Sequence, residues 1–161
     1  MKIRLTLLAV ATAALAGCAT YPAPLQGGYA ELTPHAAATG EQAGMPVRWG
    51  GQIIQVEPQQ NRTCFQMLGV QLDATGRPMR SSDRFDGRFL ACRDGFYDPA
   101  IFQPGREVTF TGHIDGYEDR TIGEYDYRLP RMSADVVYLW GVRERVDVIE
   151  RPAPWPWWGW W

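Results

Sequence analysis

The side chain with the most specific chemistry in this sequence is the thiol of Cys18, which closes the tetrad Leu15-Ala16-Gly17-Cys18. That tetrad resembles the bacterial lipobox, in which the cysteine sulfur receives a diacylglyceryl group, the chain is cut before the cysteine, and the freed amine is acylated, often with palmitate. What precedes it fits. Met1-Lys2-Ile3-Arg4 is a short basic start, and Leu5 to Ala16 is a charge-free apolar run of 12 residues, about 18 Å long as a helix against the roughly 30 Å of a bilayer's hydrocarbon core. This is the layout of a signal peptide and too short for a transmembrane helix. The alternative is an ordinary secretory signal cut near "AGCA", leaving Cys18 a free thiol. With the lipobox reading, residues 1–17 are removed and Cys18 becomes the first residue. An aspartate directly after such a cysteine favours retention in the inner membrane; here Ala19 follows, so the expected location is the outer membrane, lipid-anchored and facing the periplasm. Two or three acyl chains, at about 0.8 kcal/mol per buried methylene, hold a protein there durably.

The other two thiols, Cys64 and Cys92, lie in segments with strand character. An oxidising compartment permits a bridge between them, worth about 3–4 kcal/mol for a loop of 29 residues in the chain-entropy picture. Buried reduced thiols are the alternative. Acids gather at Asp83, Asp86, Asp94 and Asp98. Asp86, Asp94 and Asp98 could serve as the carboxylates of a hydrolase acting on envelope glycans, but all lie among Gly and Pro, where Asp usually closes turns. A zinc site needs three or four ligands, and neither His35 nor His113 falls in a His/Cys/Asp cluster of suitable spacing, so no metal or cofactor is expected. No serine elbow or phosphate-cradling glycine loop occurs. The sequence therefore points away from an enzyme.

The elements that must carry these residues are strands. "VRWGGQIIQV" (47–56), "TCFQMLGVQL" (63–72), "RFLACR" (88–93), "REVTFTGHID" (106–115), "YRLP" and "MSADVVYLWGV" alternate or run apolar between clusters of turn residues. In the last of these Met132, Ala134, Val136, Tyr138 and Trp140 share one parity. Five or six short strands with internal glycines predict a mainly β domain over 45–149, a small antiparallel β-barrel of OB-like form, with a small β-sandwich as the alternative. Residues 18–44, rich in Ala, Gly, Pro and Thr, are expected to be a lipidated cysteine and flexible tether, of which "GYAELTPHAA" could dock. Such a coil would span about 25–30 Å.

Composition bounds the partners. The formal charge of −2 becomes −4 once residues 1–17, with Lys2 and Arg4 and no acid, are removed. A mildly acidic body offers no footprint for nucleic acid and no polybasic patch for anionic lipid. Aromatic residues are the candidates for contact with an envelope protein or glycan: Phe96, Tyr97, Tyr125 and Tyr127, which could equally pack the ends of a barrel. The tail 150–161 ends in "WPWWGWW", where Trp155, Trp157, Trp158, Trp160 and Trp161 are five of the seven tryptophans. Pro152, Pro154 and Pro156 exclude a helix there. Folding back on the domain, resting at lipid headgroups and inserting into a partner all remain open for it.

"VRWGGQIIQV", "GRFLACRDGFYDP", "PGREVTFTGHIDGYEDRTIGEYDYRLP" and "YLWGVRE", in that order, make residues 45–145 similar to the Slp family of starvation-inducible outer-membrane lipoproteins. The aromatic ending is similar too. The resemblance implies a place, the cell envelope, and an expression pattern; it brings no catalytic or ligand residue beyond the lipidated Cys18.

Overall fold

The computed structural model describes residues 20–79 and 84–143. Cys18, Asp83 and Trp155 to Trp161 lie outside the described residues. Five strands form one sheet: β1 (Pro46–Pro58), β2 (Arg62–Val70), β3 (Gly87–Asp94), β4 (Glu107–Ile122) and β5 (Tyr125–Leu139). Their order is β1-β2-β3-β5-β4, and β4 returns to β1, so the sheet closes in a barrel-like ring. Closure removes the sandwich alternative. It also corrects the all-antiparallel expectation, because β3 and β5 pair in parallel. The reason is parity: a ring with an odd number of strands cannot alternate direction all the way round, so one neighbouring pair must run the same way.

The ring is filled by Phe65, Met67, Phe89, Phe110, Ile114 and Met132, each fully buried. The Phe65 and Phe110 rings lie 5.4 Å apart, and Trp49 meets Phe89 edge-on at 5.2 Å. Strands approach closely where glycine replaces a side chain. A Cβ on Gly51 would fall 1.9 Å from the Leu68 carbonyl oxygen, and one on Gly112 would fall 2.0 Å from that of Ser133. "YRLP" and "MSADVVYLWGV", expected as separate strands, are one strand that carries a bulge. Thr111 pairs with Val136 but Gly112 with Ala134, so Asp135 is an extra residue. The bulge inverts the alternation after Ala134: Val137 and Leu139 turn toward the core, and Tyr138 and Trp140 point outward rather than sharing the face of Met132. Arg93 secures the bulge by donating from Nη1 to the carbonyls of Ala134 and Asp135.

The largest departure from expectation is at the N-terminal side. Residues 21–44 are a strap bound to the ring, not a flexible tether, and the docked part extends well beyond "GYAELTPHAA". A 3-10 turn, Ala23–Leu25, buries Leu25 completely. Ala30 pairs with Val47 of β1, and the short helix α1 (Pro34–Ala38) follows, its first turn capped by the Thr33 hydroxyl accepting from the Ala36 amide at 3.2 Å. Ala37 enters the core, and α1 rests where β2 and β3 have no side chains: a Cβ on Gly87 would meet the His35 amide nitrogen at 2.9 Å. Composition suggested a coil because the apolar anchors, Leu25, Leu32 and Ala37, are too few and irregular to show a period. Their burial is decided by the ring beneath them.

Candidate functional site

The strap and the ring enclose a cleft of about 590 Å³, walled by Tyr21, Tyr29, Glu31, Arg48, Gln71 and Asp86 among others. This is within the size range of small-ligand sites. Each wall has a local cause. Arg48, on the outward face of β1, holds the strap from below, its guanidinium 3.8 Å from the Tyr21 ring centroid and 5.1 Å from that of Tyr29, while Nη1 donates to the Leu25 carbonyl at 3.0 Å. The neighbouring Trp49 turns inward, yet its indole nitrogen reaches out to the Leu32 carbonyl at 2.6 Å. On the far side the His35 amide donates to the Asp86 carbonyl at 2.7 Å. Burial pushes the Asp86 carboxyl above the usual aspartate value. Because Arg48 is already stacked and bonded while Glu31 and Asp86 are acids, the cleft suits a neutral polyhydroxyl or a cationic group better than an anion. Gly28 lines it with open space around the position a Cβ would take.

A second cleft, about 210 Å³, lies where the described chain ends, walled by Arg106, Glu107, Trp140 and Arg143. Glu107 is its centre. Burial alone would raise this carboxyl, but hydrogen bonds and charge from Arg77 and Arg143 outweigh it and hold the group below the usual glutamate value. The Nε atoms of Arg77 and Arg143 lie 2.7 and 3.1 Å from Oε2. Next to it Thr109 accepts from the Trp140 indole at 2.9 Å and donates to the Gly76 carbonyl at 2.7 Å. Glu107 and Thr109 are thus buried on the outer face of β4, a second layer that strand alternation does not announce.

The cysteines meet directly. Cys64 and Cys92 are registered partners on β2 and β3, with sulfurs 2.08 Å apart in a disulfide. Of the three acids offered for hydrolysis, Asp86 and Asp94 do not meet as a pair of catalytic carboxylates. Asp86 precedes β3 and Asp94 ends it, eight residues or about 26 Å apart along an extended chain, where glycosidases need roughly 5–10 Å. Asp98 is engaged in a turn, its carboxylate accepting from the Ala100 amide at 2.8 Å. Among the described residues no three His, Cys, Asp or Glu side chains gather to hold a metal ion, and His113 is exposed.

The aromatic candidates divide. Phe96 and Tyr125 are exposed, 73% and 69%. Tyr97 packs instead, 5.5 Å from Phe65 and 5.3 Å from Phe102. Tyr127 is half-buried beside Tyr125 on the β4–β5 hairpin. That hairpin is tied to the β1–β2 hairpin by Arg120, which grips both carboxylate oxygens of Glu57 at 2.6 and 2.9 Å. The grip holds Glu57 below its usual value. The sequence reading missed Tyr21, Tyr29 and Arg48, whose one local signal was two tyrosines in a stretch otherwise poor in large side chains.

Comparison with known proteins adds the following. A family described as "Outer membrane lipoprotein Slp family" matches residues 15–161. The uncharacterized lipoprotein YeaY of Escherichia coli (strain K12) is 31% identical over 146 residues, covering 88% of this chain and 75% of that one. The outer membrane protein Slp of the same organism is 27% identical over 138 residues, covering 83% and 72%. An uncharacterized protein of Haemophilus influenzae is 27% identical over 154 residues, covering 91% and 82%.

Proposed function

The chain belongs to the outer membrane lipoprotein Slp family, and from that premise we propose that it is held by lipid on Cys18 at the periplasmic face of the outer membrane and works there without catalysis, binding an envelope glycan or protein in the cleft beneath its strap. The observation that carries the binding role is the cleft itself: about 590 Å³ of mixed aromatic and polar wall, to which the core contributes Trp49 while Tyr21, Tyr29, Glu31, Arg48, Gln71 and Asp86 lie outside the core cluster. Cys18 stands three residues before Tyr21, a wall of that cleft. Anchor and cleft are therefore adjacent, as suits a protein that meets its partner at the membrane.

Two measurements test this on the full chain. Wild type is expected in the outer-membrane fraction, and Cys18→Ser is expected to be absent from it; equal recovery of both in the outer-membrane fraction removes the lipid anchor. For the cleft, Gly28→Trp adds a large side chain where there is space, leaving the ring untouched. Cross-linking in cells, and binding to glycan strands released from the cell wall, are expected to fall at least tenfold in Gly28→Trp with the unfolding midpoint unchanged. Undiminished capture by that variant overturns the cleft as the binding site.

A further inference from the structure

The two ends of the described chain, residues far apart in sequence, are held by the same short loop. After β2 the chain turns through Asp73–Met79, where Leu72 bridges Pro78 and the Asp73 carboxylate accepts from the Thr75 amide and hydroxyl and the Arg77 amide, at 2.8, 2.6 and 3.1 Å. On one side of this loop sits Tyr21. A Cβ on Gly76 would fall 2.5 Å from its ring, so the ring occupies the space that glycine leaves. On the other side Arg77 Nη2 donates to the Gly141 carbonyl at 2.6 Å, and Arg143 Nη2 donates to the Pro78 carbonyl at 2.7 Å. Tyr21, where the described chain enters the fold, and Gly141 and Arg143, where it ends, thus meet at one loop.

We propose that this face, built on the Asp73–Met79 loop, rests against the phospholipid headgroups, so that the domain is seated on the membrane in one orientation and not suspended from it. The inference rests on Cys18 carrying the lipid. Given that, the docked Tyr21 is three residue steps from the lipidated cysteine, a reach of about 10 Å at about 3.5 Å per residue. A free tether of the whole 19–44 stretch would have allowed about 25–30 Å. The loop can be no farther from the bilayer surface than this short segment permits.

What the face exposes agrees with a lipid interface. Met79 on the loop and Val142 between the two arginine contacts are apolar side chains left 37% and 73% exposed. Arg77 and Arg143 are both engaged with Glu107, so the contact draws on apolar burial and not on attraction to anionic lipid. Raised salt is therefore expected to leave it unchanged.

The test uses full-length lipidated protein in vesicles of phosphatidylethanolamine and phosphatidylglycerol containing a headgroup-nitroxide lipid. A fluorophore is attached at Met79→Cys, at Val142→Cys or at Phe96→Cys; the native thiols do not compete, since Cys64 and Cys92 are bonded and Cys18 is acylated. Phe96 is the control, because Gly95 contacts Asn61 at the start of β2 while the loop follows its end, nine residues or about 30 Å away. Labels at 79 and 142 are expected to be quenched several-fold more than the label at 96, equally at low and molar salt. Equal quenching at the three positions, with the protein floating with the vesicles, overturns the seated orientation and leaves the anchor standing. Protein that does not float overturns the anchor and the orientation together.

Discussion

Replacing Leu25 by alanine asks whether the strap belongs to the folded unit. Leu25 lies in a three-residue turn within a segment whose composition is that of a linker, yet it is fully buried. The substitution removes three carbon atoms from a closed site. At about 0.8 kcal/mol per methylene the transfer loss alone is about 2.4 kcal/mol, and the residual cavity raises the total toward the 2–5 kcal/mol range of buried leucine deletions. A short turn has freedom to settle inward, so the expected cost is in the lower half, about 2–3 kcal/mol. Urea unfolding followed by tryptophan fluorescence and by circular dichroism measures it, with exposed Glu31→Ala as the control, expected within about 0.5 kcal/mol of wild type. The slope of the transition should stay the same in all three proteins, since the same surface is exposed on unfolding. A Leu25→Ala midpoint indistinguishable from wild type, or early proteolytic cutting between residues 21 and 44 in the wild type under native conditions, would refute the strap as part of the cooperative fold.

Two further outcomes follow from the interior. Converting both Cys64 and Cys92 to serine opens a bridge between residues 28 apart in sequence and is expected to cost about 3 kcal/mol, read as the difference in unfolding free energy with and without reductant; reductant should then have no effect on the double variant. Glu107→Gln leaves Arg77 and Arg143 without their carboxylate and is expected to cost about 2–3 kcal/mol, below the full penalty of a deeply buried pair because both guanidiniums keep some solvent contact. The same group sets a pH dependence. Glu57 and Glu107 are both held below the ordinary glutamate value in the folded state, so their contribution is complete above that value and is lost as pH falls through the lowered ones. Acid unfolding of Glu107→Gln should accordingly show a smaller loss of stability between neutral pH and the acid range than wild type.

How much of this was legible in the chain depends on the range of the interaction. The positions of β1 to β3 and the first part of β4 followed from alternation or an apolar run within each segment, patterns that need no distant contact; β4 continues to Ile122, seven residues past the expected end. β5 did not follow fully: Asp135 adds one residue, and only the pairing of Thr111 with Val136 and Gly112 with Ala134 shows that Trp140 faces outward. Cys64 and Cys92 were recognisable as a candidate bridge, but their direct opposition depends on the β2–β3 register. Asp86, Asp94 and Asp98 were close in sequence and looked like a cluster; β3 carries the first two to opposite ends of a strand. Arg48, Tyr21 and Tyr29 gave little warning, since a cation stacked on two rings joins residues up to 27 positions apart.

The sequence by itself carried the lipobox tetrad and determined the β character of the domain, because a lipobox is read as four adjacent residues and a strand as an alternation over a few, neither requiring any distant contact. Only the tertiary structure decided that the strap is docked, that Glu107 is a buried link between Arg77 and Arg143, and that Tyr21 and Arg143 share the Asp73–Met79 loop. Each of these depends on side chains brought together by ring closure. Burial and charge pairing act through space, and a linear pattern carries no record of which distant segment will cover it.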